Sequence, residues 1–305
     1  MKGLVAAAGR ERTAARPGPG PITAESLEAL ELTIGRRVDG LLSGDYRSAF
    51  GGVGTELYQV RPYEAGDDVR RIDWNVTART GHTHVRVELA ERVLVTWLVF
   101  DASASMMFGT AERRKADVAE GVALAIGHTA TRRGNRLGMV TFGADDPRWG
   151  RPRQGRRGLL LTLAALREDP AGRGGLSESL RLLDGLAVQR SLVVIVSDFR
   201  GPIDWRPALL RVAGRHPTLA IEIRDPREQE LADVGELRLV DPETGQHLRV
   251  NTSDRALRER FALAAAEERT GLVRLLNAAG VRHTALSTEG DWLRDLAAFL
   301  RRSGF

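Results

Sequence analysis

The sequence predicts an α/β protein with a doubly wound, mostly parallel sheet and an N-terminal helix and strand extension. From residue 93 onward, strand-sized apolar runs alternate with amphipathic helical segments, the order that produces parallel sheets. Two of these runs, VLVTWLVF and SLVVIVS, are apolar almost throughout, as strands buried on both faces are. Each is followed directly by an aspartate, Asp101 and Asp198.

Each element of the alternation has a local signature. Gly134 ends the first long helical segment, Asp254 and Asp291 are placed to cap later helices, and Glu243-Thr244-Gly245 is a turn sequence between two alternating strands. In chain order, we expect strands at 93–101, 135–144, 191–199, 218–226 and 281–288, a hairpin at 235–252, and helices at 111–134, 158–168, 176–188, 204–216, 254–280 and 291–302.

The chain divides into three parts on composition. Residues 1–21 are rich in Gly, Pro, Arg and Ala and predict a flexible leader. Residues 22–92 form an N-terminal module, with a helix capped by Thr23, a strand at TELYQVR and an alternating strand at HTHVRVEL. The stretch between these two strands has no amphipathic helix period. Residues 93–305 form the α/β domain.

Composition excludes several classes of function. The chain has no cysteine, so it has no disulfide, no thiolate nucleophile and no Cys-based zinc site. No run reaches the roughly 18 apolar residues that a membrane helix needs, so we expect no membrane span and a cytoplasmic protein. The formal charge is +5, and only Lys2 and Lys115 are lysines among 45 basic residues.

The residues that follow the first buried strand suggest a cation site. Asp101, Ser103 and Ser105 place oxygen ligands at alternate positions in the turn, and hard cations such as Mg²⁺ prefer oxygen ligands. Parallel sheets bind ligands at the carboxyl ends of their strands. If the strands ending at Asp101 and Asp198 are neighbours, both carboxylates reach the same crevice.

The pattern Asp-x-Ser-x-Ser at 101–105, followed later by an apolar strand ending in Asp198, resembles the metal-ion-dependent adhesion site (MIDAS) of von Willebrand factor A domains. The resemblance implies Mg²⁺ held by Asp101, Ser103, Ser105 and Asp198, with a partner's carboxylate completing the ion's shell. The family's threonine ligand does not match, because Gly174-Gly175 stands there. Ser177 is a possible additional ligand, and Ser179 is the other hydroxyl nearby.

The segment RPYEAGDDVRRIDWNVTARTGHTHVRVE ahead of FDASASM resembles a bacterial family, domain of unknown function 58 (DUF58). The resemblance implies a protein partner that offers an acidic residue, and a MoxR-type AAA+ ATPase for which the chain is an adaptor. The residues that match the family's hallmark are Arg61, Tyr63, Gly66, Asp67, Asp68, Arg70, Ile72, Asp73, Trp74 and Arg79.

Two interpretations of each motif stay open. Residues 101–105 and Asp198 form either a cation site or a helix start capped by Ser and Asp side chains. The GDDVRRIDW segment is either a binding surface or a structural junction, in which Arg61, Arg70 and Arg79 pair with Asp67, Asp68 and Asp73 and Trp74 packs as an anchor.

The sequence favours a non-enzymatic, metal-dependent protein-binding module. The alternatives are a metal-dependent phosphoesterase that uses the same crevice and an arginine-rich nucleic-acid binder. No serine lies in a nucleophile elbow, and the phosphoryl-transfer pattern usually has a second carboxylate where Ser103 stands. The glycine-rich segment at 51–54 carries no phosphate-loop signature. We expect GADD at 143–146 to be an ordinary turn after a strand, with solvated acids.

Overall fold

The computed structural model describes residues 5–6, 58–65, 67–88, 95–131, 135–143, 146–155, 174–240 and 246–303. The helix expected after Thr23, the helix expected at 158–168 and the turn at 243–245 lie outside the described residues. The chain separates into two compact units, residues 1–41 with 94–299 and residues 42–93 with 300–305.

The larger unit contains the predicted sheet. Its six strands, in chain order, are β4 (Val95–Asp101), β5 (Arg136–Phe142), β6 (Arg148–Gln154), β7 (Leu192–Ser197), β8 (Thr218–Arg224) and β11 (Arg282–Ser287). Their order across the sheet is β11-β8-β7-β4-β5-β6. All neighbours are parallel except β6, which runs antiparallel to β5. This topology confirms the predicted fold class.

The helices of this unit are α2 (Lys115–Thr131), α3 (Leu176–Leu186), α4 (Arg206–Arg215), α5 (Arg255–Ala278) and α6 (Trp292–Arg302). Leu180 of α3, Leu209 of α4 and Leu276 of α5 pack in one cluster with Val99 and Ile195 of the central strands.

The opposite face of the sheet is buried as well. Leu98 and Val194, one residue before Val99 and Ile195, are fully buried, and α2 lies against β4 and β7. Full burial of each such side chain stabilises the fold by ~1.5–3 kcal/mol. Because successive strand residues point to opposite faces, near-continuous apolar runs are what a sheet covered on both sides requires.

Strand β6 was not predicted. It is an edge strand, and Arg148, Arg151, Pro152 and Arg153 interrupt any apolar alternation within it. Charged residues and proline are common on sheet edges, where they discourage pairing with another chain. The same features that protect the edge therefore remove the sequence signal of a strand.

The predicted hairpin is present as β9 (Glu236–Val240) and β10 (His247–Asn251), which pair antiparallel. The short strand β1 (Val5–Ala6) pairs antiparallel with β9 on the other side. These two residues of the predicted flexible leader are therefore part of a small three-stranded sheet.

The smaller unit contains β2 (Tyr58–Pro62) and β3 (His84–Glu88), an antiparallel pair, and the helix α1 (Trp74–Thr80) between them. This stretch has no amphipathic helix period, so its sequence did not indicate the short helix. Asp73 caps the first turn by accepting hydrogen bonds from the backbone of Asn75 and Val76, and Gly81 ends the helix with φ 72°. End caps define so short a helix, which has no room for an apolar period.

None of the helices in the described parts of the chain is long and apolar enough to cross a membrane.

Candidate metal and partner-binding site

Asp101 and Asp198 lie at the carboxyl ends of two neighbouring strands. β4 and β7 are parallel, and the pairing of Phe100 with Val196 brings Asp101 beside Ser197. The Ser197 hydroxyl donates a hydrogen bond of 2.5 Å to Asp101 Oδ2. Both carboxyl groups are buried, with 3% and 5% of each residue exposed. The two carboxyl groups therefore lie close together at the carboxyl ends of the central strands.

The turn after β4 brings the two serine hydroxyls to the same place. The backbone N–H of Ser103 donates to Asp101 Oδ1 at 2.9 Å, and Ser103 Oγ lies 3.0 Å from Ser105 Oγ. A hydrogen bond from Ser105 also reaches the Asp198 carboxylate and lowers its pKa. The four residues predicted for the site, Asp101, Ser103, Ser105 and Asp198, thus form one hydrogen-bonded group.

Gly143 makes this turn possible, and the sequence did not reveal its role. It follows β5 with φ 95°, and a Cβ atom there would lie 2.3 Å from the Ser103 nitrogen. The adjacent Ala102 N–H donates to the Phe142 carbonyl at 2.8 Å. GADD at 143–146 was predicted as an ordinary turn, yet its glycine is where the 101–105 turn packs against the end of β5.

Ser177 has other partners. It lies in the first turn of α3, where its hydroxyl donates to the Asp204 carbonyl at 3.4 Å and accepts from Arg181 at 2.9 Å. Gly174, where the family's threonine is expected, accepts a hydrogen bond of 2.9 Å from the Gly143 backbone. The 174–175 segment therefore reaches the site through its backbone.

Lys115 is a second residue at this site whose role the sequence did not predict. It is fully buried at the start of α2, and its Nζ donates to Asp198 Oδ2 and to Glu228 Oε1, each at 2.6 Å. Burial alone would lower the pKa of Lys115, but the two carboxylates outweigh it and hold that pKa above its ordinary value. One signal was available: this chain uses arginine almost everywhere, and Lys115 is one of its two lysines.

The two aspartates have different electrostatic surroundings. Burial alone would raise the pKa of Asp198, but the charge and hydrogen bond of Lys115 and the Arg200 N–H hold it below its ordinary value. Burial, together with repulsion from Asp198, raises the pKa of Asp101 to about 7. Among the residues that the structure describes, Asp101 has hydrogen bonds to Ser103 and Ser197 but no ion pair.

A third strand end contributes Asp225, which follows β8. Its fully buried carboxylate accepts hydrogen bonds from the Thr110 N–H at 2.7 Å and the Thr288 hydroxyl at 2.8 Å. It also caps the short helical turn at 226–228, where the Asp225 N–H donates a hydrogen bond of 3.1 Å to Glu228 Oε2. Asp225 thus connects the loops after β4 and β11 and positions Glu228 for Lys115.

The backbone is strained next to Asp198. Phe199 has φ 52°, in the left-handed region, which costs a bulky side chain ~1–2 kcal/mol. Its N–H donates to Ser197 Oγ at 2.8 Å, and the next N–H, of Arg200, donates to Asp198 Oδ1 at 2.9 Å. The Phe199 ring is buried 5.9 Å from the ring of Trp205. These contacts compensate for the strain and fix the direction of the Asp198 carboxylate.

The donor atoms suit a small hard cation. With Mg–O bonds of about 2.1 Å, adjacent octahedral ligands lie ~3.0 Å apart, which is the separation of the two serine hydroxyls. No group of three or more His, Cys, Asp or Glu within the described segments could hold a metal ion.

The matching residues of the N-terminal motif lie in the smaller unit. Arg61 forms a two-pronged ion pair with Asp67, at 2.7 and 2.6 Å, which lowers the pKa of Asp67. Asp68 accepts a hydrogen bond from the backbone N–H of Arg70, at the start of a short helical turn. Asp73 caps α1.

Other motif residues differ from the expected structural junction. The Arg79 side chain donates to the Asn75 carbonyl, and the Tyr63 backbone donates to the Thr83 carbonyl. Gly66 lies outside the described residues. The expectation that Trp74 packs as an anchor was wrong, because 69% of this residue is exposed.

The topology defines an α/β protein with a doubly wound, mostly parallel sheet whose two central neighbouring strands are each followed or ended by a buried aspartate. The chain belongs to the family described as "Protein of unknown function DUF58", whose model matches residues 59–271. It is 44% identical over 292 residues to an uncharacterized protein of Mycobacterium tuberculosis, covering 93% of this chain and 91% of the relative. An uncharacterized protein of Mycobacterium avium is 41% identical over 144 residues, 47% of this chain and 85% of that protein.

Solved structures similar to this chain include the conserved hypothetical protein BatB from Bacteroides thetaiotaomicron and the SpRpn10 VWA domain. BatB is 13% identical with a TM-score of 0.44, covering 69% of this chain and 98% of that chain. The SpRpn10 domain is 14% identical with a TM-score of 0.40, covering 67% of this chain and 94% of that one.

Proposed function

We propose that this protein is a non-enzymatic protein-interaction module that binds an acidic side chain of its partner through a divalent cation. One observation carries the proposal: Asp101, Ser103, Ser105 and Asp198 converge at adjoining strand ends, and among the described residues none forms an ion pair with Asp101. The oxygen donors of this group are the ones that Mg²⁺ prefers.

The charges around the crevice support a bound cation. Asp101, Asp198 and Glu228 are three buried carboxylic acids, and Lys115 is the one fully buried ammonium beside them. Arg200 approaches Glu228 only at 4.0 Å and is partly exposed. When all three acids are ionised, the buried group carries more negative than positive charge, which is costly in a medium of low dielectric constant. A dication would offset this excess.

The chemistry of the donors explains how an acidic partner would be attracted. Asp101, Ser103, Ser105 and Asp198 would hold Mg²⁺, and the bound ion would supply a site of positive charge for a partner's carboxylate. Neutral hydroxyls from Ser103 and Ser105 leave more charge on the ion than carboxylates would. Lys115 already occupies one oxygen of Asp198, and a threonine is absent at Gly174, so we expect modest metal affinity.

The surroundings of the turn suit a protein partner. Met107, two residues after Ser105, is 48% exposed, and Ile203, in the segment after Asp198, is 55% exposed. Exposed apolar side chains next to a polar centre are typical of protein-binding surfaces. We propose a MoxR-type AAA+ ATPase as the partner, or as the protein that presents it, and a cytoplasmic setting.

The test measures binding of the purified full chain to a MoxR-type AAA+ ATPase from the same organism. Binding is measured with Mg²⁺ and then with a chelator, for the wild type, for Asp101→Ala and for Glu259→Ala. Glu259 is an exposed acid on α5 that pairs with Arg255, so its variant is a matched control. We expect Mg²⁺-dependent binding by the wild type and by Glu259→Ala, and loss of binding by Asp101→Ala.

A calorimetric titration of the chain with Mg²⁺ separates the ion from the partner. Heat of binding in the wild type, absent in Asp101→Ala, would support the ion site even if this ATPase is the wrong partner. Equal binding of the ATPase with metal and with chelator would defeat the ion-bridge proposal. Metal-dependent hydrolysis of a phosphate ester that Asp101→Ala abolishes would replace it with the phosphoesterase alternative.

A further inference from the structure

The N-terminal motif exposes its apolar residues. Trp74 is 69% exposed and Val69 is 60% exposed, although both belong to the GDDVRRIDW segment. Tryptophan is large and mostly apolar, and in a stable fold it is usually well buried. Exposed tryptophans are among the residues that contribute most to the free energy of binding at protein interfaces.

The acidic residues of the same segment are engaged within the module. Arg61 neutralises Asp67, Asp68 binds the backbone of Arg70, and Asp73 is buried as the cap of α1. Between Val69 and Thr80 the chain carries three arginines, all exposed, and no acid except the buried Asp73. The exposed charged groups from Val69 to Thr80 are therefore basic, whereas the preceding Asp68 is exposed and accepts a backbone hydrogen bond.

Hydrogen bonds to the strand pair hold this segment in place. Ile72 forms a β-bridge with Val85, and the Asp73 N–H donates to the His84 carbonyl at 2.8 Å. The Thr77 hydroxyl accepts from the His84 N–H at 3.0 Å. A surface that is ordered before binding loses less conformational entropy when a partner docks.

We propose that Val69, Arg70 and Trp74 form a docking surface, the Trp74 surface, for an acidic protein segment that carries an apolar side chain. The apolar side chain of the partner packs against Trp74 and Val69, and its carboxylate meets the exposed Arg70 side chain. Docking at this surface needs no metal ion.

A protein segment fits this surface better than a nucleic acid does. Residues 58–88 contain five arginines and five acidic residues, so the module has no net positive charge to attract a phosphate backbone. Proteins that bind single strands usually stack several bases on several aromatic side chains, whereas Trp74 is the single tryptophan of this segment.

The first experiment measures whether Trp74 is accessible in the full chain. Subtracting the fluorescence of Trp74→Phe from that of the wild type isolates the emission of Trp74. We expect emission typical of a water-exposed indole, quenched more strongly by iodide than by caesium because of the nearby arginines. Blue-shifted emission that resists both quenchers would overturn the proposal, since Trp74 would then be covered by the chain itself.

The second experiment selects peptides from a random library on the full chain in chelator, and measures the Kd of the strongest binders. We expect selected peptides rich in Asp, Glu and large apolar residues. Their Kd should rise about tenfold or more in Trp74→Ala and in Arg70→Glu. Trp149→Ala is the matched control, because Trp149 is 46% exposed on the edge strand β6, and it should leave the Kd unchanged.

Each other outcome rejects the proposal. Selected peptides without acidic enrichment, or with a Kd that is the same in Trp74→Ala, would show that this surface does not dock acidic segments. If labelled oligo-dT binds the wild type and loses affinity in Trp74→Ala while peptides do not bind, the surface belongs to a nucleic acid. Self-association lost in Trp74→Ala would assign it to a second copy. Because chelator is present, these results are independent of the proposed cation site.

Discussion

Replacing Lys115 with methionine tests the buried charge network directly. Methionine has a similar length and no charge, so it removes both 2.6 Å contacts, to Asp198 and to Glu228, with little change in volume. Two buried carboxylates then lose their counter-charge. Removing one partner of a buried ion pair typically costs ~3–5 kcal/mol, and Lys115 serves two. We expect the variant to lose that much of a total stability of ~5–15 kcal/mol.

The loss should depend on pH in a defined direction. In the wild type, the low folded-state pKa of Asp198 contributes stability above the unfolded pKa, and this stability is lost as pH falls through the folded value. In the variant, burial is the larger influence that remains on Asp198 and raises its pKa. The free-energy cost of burying the ionised Asp198 carboxylate is then fully present at high pH and disappears as Asp198 becomes protonated. The stability difference between wild type and variant should therefore narrow in acid.

The assay is urea unfolding of the two proteins, followed by far-UV circular dichroism, at about pH 7 and at about pH 5. Arg255→Met is the control, since Arg255 and Glu259 form an exposed ion pair, and such pairs contribute little. If Lys115→Met lowers the free energy of unfolding by less than ~1 kcal/mol near neutral pH, Lys115 is not an essential counter-charge for the two buried carboxylates. A loss that grows as the pH is lowered would refute the reasoning as well.

Three further predictions concern the crevice. Without Mg²⁺, the wild type should lose stability relative to Asp101→Asn as the pH rises toward about 7, because the raised pKa of Asp101 makes its ionisation costly in the folded state. The variant should also lose stabilisation by Mg²⁺, and thermal unfolding with and without the ion checks both. Gly143→Ala should be destabilised by at least ~1–3 kcal/mol because φ at this position is positive, and further because the new Cβ would lie 2.3 Å from the Ser103 nitrogen. Gly214→Ala in α4 is the control, because open space surrounds that position and we expect no such loss. The midpoints of urea unfolding measure both effects. Asp225→Asn should lower the free energy of unfolding by ~1–3 kcal/mol near neutral pH, because the new amide group would face N–H and O–H donors. The Thr110 N–H should then exchange its hydrogen faster. An unchanged exchange rate would show that Asp225 does not hold the Thr110 backbone.

The sequence alone was enough to predict the fold class and the four side chains that meet at the strand ends, Asp101, Ser103, Ser105 and Asp198. Long apolar runs predicted β4 and β7, because strands covered on both faces need apolar residues at every position. The acids at the ends of those runs and the Asp-x-Ser-x-Ser turn predicted which side chains meet, since parallel strands end at one edge of a sheet. The edge strand β6 and the helix α1 were not predicted, because neither has an apolar period.

Only the tertiary structure decided the electrostatics of the site. Lys115 lies 83 residues from Asp198 and 113 residues from Glu228 along the chain, so no local pattern links them. Gly143 is needed only because the turn at Ser103 packs against it. The same holds for Trp74, whose sequence suggested a buried anchor and whose neighbours leave it exposed. Chain order specifies which groups a strand carries, while burial and counter-charge depend on segments brought together by folding.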